Sequence, residues 1–218
     1  MRFDIKGNPS YGEVDVDLGP NETILIEPGA MSRMSSNLNS SFQRQGGFFS
    51  AMFRKMFGGE SFFLGKYEHP DGGKLTFAPS MPGHVEHRQL TNNSLNLMAG
   101  CFLACTPEVN IKAKFGGFKA LFSGEGAFLL EASGNGDLFF NSFGGIVEKQ
   151  INGEFIVDTG HVVAFDPSLD YKITGMGNFK STMLSGEGLV MRFSGNGKLY
   201  LQTRNFSGIA SWLTPRLL

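Results

Sequence analysis

Charge is scarce in this 218-residue sequence, and its two signs nearly cancel. Nineteen Lys and Arg stand against 20 Asp and Glu, for a formal net charge of −1. A nucleic-acid binder gathers excess positive charge to replace counterions, so DNA binding is not expected and RNA binding is disfavoured. Only two cysteines occur, Cys101 and Cys105, as suits a reducing compartment. On one extended strand they would lie about 13 Å apart, beyond the reach of a disulfide, so two buried thiols are expected. No run approaches the length of a membrane-spanning helix. The first residues, Met1-Arg2-Phe3-Asp4-Ile5-Lys6, have neither the apolar core of a signal peptide nor the acid-poor helix of a mitochondrial presequence. A soluble, cytoplasmic protein is expected.

Catalytic motifs are equally sparse. Gly59 to Lys66 has one residue too many for a phosphate-binding loop and lacks its Ser or Thr. Gly175-Met176-Gly177 lacks the third glycine of a dinucleotide fingerprint. There is no G-x-S-x-G elbow and no H-E-x-x-H zinc motif. Of the four histidines, His84 and His87 have a metal-like spacing. On a strand, however, residues three apart point to opposite faces. Asp158 and Asp166 flank His161, but no nucleophile or second histidine completes an acid–base set. A non-enzymatic protein without a cofactor is expected.

What the sequence does have is glycine and phenylalanine, 30 and 22 residues. The glycines are ordered. Ser123-Gly124-Glu125-Gly126 and Ser133-Gly134-Asn135-Gly136 return as Ser185-Gly186-Glu187-Gly188 and Ser194-Gly195-Asn196-Gly197. A repeat of this size signals internal duplication. A weaker third copy runs through Gly59-Glu60-Ser61 and Gly72-Gly73. Upstream of each copy a strand meets Asn, Gly or Pro and a second strand follows: Gly19-Pro20-Asn21, Thr91-Asn92-Asn93 and Asn152-Gly153. These points are expected to be hairpin turns. The apolar period within each unit is two, as in Leu199 and Leu201 against Tyr200 and Gln202. Three antiparallel β-units are predicted: residues 1–83, 84–144 and 145–218. An all-β body of β-sandwich units with pseudo-threefold symmetry should bury their edges against one another.

Two kinds of candidate site follow. Glu60, Glu125 and Glu187 hold equivalent places in the three units. Converging on a pseudo-axis, they would make an oxygen-rich divalent-metal or small-ligand site. Alternatively, each simply accepts backbone N–H groups of its own glycine turn. The second kind is apolar. In the insertion 46–59, Phe48, Phe49, Met52, Phe53, Met56 and Phe57 fall at helical spacing. They could form a face for a protein partner or a membrane surface, or fold onto the body. The tail around Trp212 is expected to pack on the body or across an oligomer contact.

Val157-Asp158-Thr159-Gly160-His161-Val162-Val163-Ala164-Phe165 and the run Ser185 to Arg204 together resemble the Aim24-type family, named for altered inheritance of mitochondria. Many of its prokaryotic members are of unknown function. The resemblance spans essentially the whole chain. It implies a fold similar to the Trp RNA-binding attenuation protein, with units of double-stranded β-helix type. It supplies no catalytic residues. The attenuation protein binds RNA through basic residues between subunits, and no matching residues are found here. The expected function is therefore an oligomeric scaffold or adaptor. A ligand- or metal-binding protein using the glutamates is the alternative, and RNA binding by fold analogy a further one.

Overall fold

A computed structural model of the chain describes residues 1–44, 63–115, 128–175 and 189–217. They are mostly antiparallel β-sheet. In the first block the strands are β1 (Arg2–Lys6), β2 (Glu13–Leu18), β3 (Thr23–Ile26), β4 (Met31–Met34), β5 (Asn39–Arg44), β6 (Phe63–Glu68) and β7 (Gly73–Phe77). The second block holds β8 (Val85–Met98), β9 (Phe102–Cys105), β10 (Val109–Phe115) and β11 (Phe128–Asn141). The third holds β12 (Ile146–Asp158), β13 (Val162–Phe165), β14 (Leu169–Gly175) and β15 (Leu189–Gln202), and helix α1 (Phe206–Leu217) follows. No helix among the described residues is long and apolar enough to cross a membrane.

The strands form because apolar residues alternate with polar ones. Along β2, Val14, Val16 and Leu18 are buried while Glu13, Asp15 and Asp17 face outward. The second and third blocks share one pairing scheme. Strand β11 pairs with β8, β9 and β10, and β15 pairs with β12, β13 and β14. The first block builds the same neighbourhoods from shorter pieces. There β7 lies between β2 and β4, and β6 between β3 and β5. A register shift recurs at one place in all three, between Met31 and Arg33, at Phe140 opposite Phe102, and between Val162 and Ala164. One extra residue there, Ser32, Leu103 or Val163, bulges the short strand.

None of the expected hairpin turns joins two strands that pair with each other: in the first block Gly19-Pro20-Asn21 parts β2 from β3 and Pro70-Asp71-Gly72 parts β6 from β7, but β2 pairs with β7 and β3 with β6. Elsewhere the structure corrects that reading. Asn152-Gly153 lies inside the unbroken β12, directly opposite Asn196 and Gly195 of β15. Ser133 to Gly136 likewise lies inside β11. Pro20 and Pro70 have no N–H to continue a ladder, whereas Asn and Gly do. The glycines bend long strands instead of ending them: Gly134 and Gly195 have φ of 131° and 117°, a region that side chains disfavour. The bend carries one strand from one half-sheet into the next.

Blocks are joined edge to edge. Strand β3 pairs with β9 through Leu25–Cys105 and Ile26–Ala104. Strand β8 pairs with β13 through Leu97–Ala164 and Asn96–Phe165. The block starts also touch: Gly12 N–H donates to the Gly83 carbonyl at 2.8 Å, and Gly83 bridges to Gly144. A Cβ on Gly83 would fall on the Ser142 carbonyl oxygen. Each block's core is covered by the next. Leu103, Ala104 and Phe139 complete the core around Val14, Ile24 and Phe77. Val163, Ala164 and Tyr200 complete that around Leu95, Leu97 and Phe140. The third core, around Phe165, Met191 and Phe193, takes no residue from the first block. Among the described residues, no ladder returns from the third block to the first.

Candidate functional site

The open end of this row is a charged surface. The sheet β1–β2–β7–β4 presents its outer face to solvent, and a groove of about 690 Å³ runs along it. Its walls carry four cations, Arg2, Lys6, Arg33 and Lys74, and the carboxylates of Asp4, Asp15 and Asp17. Strand alternation puts them there: Glu13, Asp15 and Asp17 leave β2 on one side, opposite the core valines.

The charges are tied together. Lys6 Nζ donates to Asp15 Oδ2 at 2.5 Å, and Thr76 Oγ1 donates to Asp15 Oδ1 at 2.5 Å. Arg33 forks onto Glu13, with Nη1 at 3.0 Å and Nη2 at 2.8 Å from its two oxygens, and Nη2 reaches Asp15 at 3.1 Å. The hydrogen bonds from Lys6 and then Thr76 hold the Asp15 carboxyl below its ordinary range. The Arg33 hydrogen bonds do the same for Glu13, and the Asp15 hydrogen bond raises Lys6. Arg2 and Lys74 only approach Asp17, each at 3.9 Å. The face is thus a hydrogen-bonded charged lattice edged by loosely held cations, suited to docking a polar surface.

A second groove, of about 450 Å³, opens at the far end of the row. It is lined by Phe155, Ile156, Tyr171, Lys172 and Arg192 among others. Here the third core reaches the surface: Phe155 and Tyr171 are only partly buried against it.

The glutamates Glu60, Glu125 and Glu187 lie outside the described residues, as do Phe48, Phe49, Met52, Phe53, Met56 and Phe57. Among the described residues no group of three His, Cys, Asp or Glu could hold a metal ion. The two histidines at metal-like spacing have separate partners. His84 Nε2 meets Glu86 at 3.1 Å, and His87 Nε2 meets Asp137 at 2.8 Å while its ring packs on Phe3 and Phe139. Asp158 accepts from Gly160 N–H at 2.8 Å, and Asp166 from Arg88 at 2.9 Å. His161 Nδ1 bonds the Gln202 carbonyl at 2.8 Å. Asp158 and His161 brace one turn against residues 202–205, whereas Asp166 holds Arg88 and the Lys198 N–H. Both cysteines are free and buried, and burial, with Glu27 adding, pushes the Cys101 thiol up to about 12. Trp212 is the one apolar candidate described: it stands 59% exposed on α1, stacked by Arg216 at 4.3 Å. No residue of α1 is buried. The charged face was visible beforehand only as the alternation Glu13-Val14-Asp15-Val16-Asp17-Leu18.

The fold is shared. The X-ray crystal structure of protein SPYM3_0169 from Streptococcus pyogenes superposes with a TM-score of 0.82 at 30% identity, covering 100% of this chain and 99% of that one. An uncharacterized protein of Streptococcus pyogenes serotype M6 is 32% identical over 222 residues, spanning 98% of this chain and 90% of the relative. Residues 3–204 match the family model described as mitochondrial biogenesis AIM24. This chain belongs to the AIM24 family. The matched region includes both sheets and, apart from Arg2, the charged face of this AIM24 chain, and stops just before α1.

Proposed function

We propose that this AIM24-family chain is a non-catalytic scaffold that assembles with copies of itself and presents its charged face to a partner. The observation that carries the reading is helix α1. Phe206, Ile209, Trp212, Leu213 and Leu217 are all exposed on it, and four of them, Phe206, Ile209, Leu213 and Leu217, follow the three- and four-residue spacing of one helix face. Contiguous exposed apolar surface of this kind marks contact sites in proteins. The charged face supports the same reading, because its ion pairs are already fixed and need no reordering on docking.

Size-exclusion chromatography with light scattering on the full chain tests it. A mass above one chain is expected, falling when Trp212→Ser and Leu213→Ser are combined. A strict monomer at every concentration would overturn self-assembly. If pull-downs also retain no partner, the scaffold reading fails with it.

A further inference from the structure

The two joints between blocks use the same strands at the same positions, and a third set of those strands is left unused. In each joint, the four-residue strand of one block (β9 or β13) pairs with the strand segment before it in the preceding block (β3, or the end of β8). The first block's counterpart of β9 and β13 is β4, identified by its partner strand and its bulge. The third block's counterpart of β3 is the end of β12, Phe155–Asp158, which pairs only with β15. Among the described residues, the outer edges of both have no strand partner.

Burial follows the pairing. All four residues of β9 and all four of β13 are buried, while all four of β4 are exposed. The register of the two joints transfers directly. Cys105 and Phe165 correspond to Met34, and their partners Leu25 and Asn96 correspond to Ile156. Those four residues are at most 5% exposed, whereas Met34 is 39% and Ile156 46% exposed. An exposed edge with apolar residues at the joint positions is a template for another strand.

We propose that β4 of one copy adds to the end of β12 of another, with Met34 opposite Ile156 and Arg33 opposite Val157. This rests on the self-assembly reading above but is carried by different residues. The occupant is a second copy because the joint already exists twice inside the chain, and this copy supplies its missing half. Reciprocal joining of two copies closes a ring of six blocks; head-to-tail joining extends it. The interchain joint is more polar than the internal ones. Where they place Ala104 and Ala164, it places Arg33, which keeps its fork on Glu13, beside the partly buried rings of Phe155 and Tyr171. A reversible, salt-sensitive association follows.

The test mixes two single variants of the full chain, Met34→Cys and Ile156→Cys, under mild oxidation. The native thiols are buried and do not compete. A cross-linked species of two chains is expected from the mixture and not from either variant alone. Separately, Ile156→Lys should weaken self-association by about tenfold or more while leaving the melting temperature of the diluted protein unchanged. If the protein self-associates but the mixture does not cross-link and Ile156→Lys has no effect, the joint is wrong and the assembly reading survives through α1. If the double variant Met34→Cys with Ile156→Cys closes a bond within a single monomeric chain, the row closes on itself and the interchain joint is overturned. A wild-type chain that stays monomeric overturns both readings.

Discussion

Strands β4 and β9 have the same length, the same kind of partner strand and a bulge at the same step, yet one is wholly exposed and the other wholly buried. The difference lies outside them. Strand β9 has the first block on its outer edge; β4 has no strand there among the described residues. The side chains have adapted: Leu103-Ala104 in β9 and Val163-Ala164 in β13 become Ser32-Arg33 in β4, and Phe139 and Tyr200 become Thr76. In this architecture a strand's environment is set by its neighbouring block more than by its own. The first block is a polar cap, as terminal repeats of stacked arrays commonly are.

Moving the cap's residues inward should break this contrast most severely. Ala104→Arg places the Arg33 side chain at a site with 0% exposure and no carboxylate network. An unpaired buried charge costs about 4 kcal/mol or more, so the variant should lose cooperative unfolding or solubility. A thermal transition like that of the wild type would show that the internal joint is as open as the cap. Phe139→Ala comes next. Its ring stacks edge-on with Phe77 at 5.7 Å and Phe3 at 5.0 Å across the joint. The cavity should cost about 3–5 kcal/mol in chemical denaturation.

Acidity probes the same boundary. Glu27, at the end of β3, matches Met98 and Asp158 in the other blocks. Asp158 is free to cap its turn, whereas Glu27 is pressed against the joint, its N–H held by the Leu103 carbonyl at 2.8 Å. Burial pushes its carboxyl from 4.5 up to about 7. The folded state therefore keeps this proton to higher pH than the unfolded state. Stability from this group is full below pH 4.5, falls as pH rises through the interval to 7, and is lost above it, by at most about 3 kcal/mol. Glu27→Gln should flatten that slope in denaturation curves taken at pH 5 and 8; an unchanged slope would place its origin elsewhere. The smallest effect belongs to the cap itself. Thr76→Val, which removes one hydrogen bond to Asp15, should cost about 1 kcal/mol. A loss as large as that of Phe139→Ala would mean the charged face bears as much of the fold as the joint does.

Much of the β-architecture was legible because its signal is local. Val14, Val16 and Leu18 alternate with carboxylates, and the glycine signatures mark where long strands bend. What those glycines do was not legible. A positive φ serves a turn or a bend equally well, and the choice at Gly153 depends on β15 lying opposite it. The exposure of β4 was hidden for the same reason, since Ser32-Arg33 reads as an ordinary surface pair until β9 and β13 are laid beside it. The apolar residues around Trp212 predict a packed tail, and nothing in their spacing says that all of them stand exposed on α1. The glutamate and phenylalanine candidates lie outside the described residues.

Gly83 acts as a spacer without dimensions. At the block starts backbone meets backbone, so the spacing at that point is set by main-chain contact with no side chain in between. Residues away from it can vary while that contact is kept. A lineage that copies such a block inherits the spacing with it, and can vary what the blocks carry without re-solving how they stack.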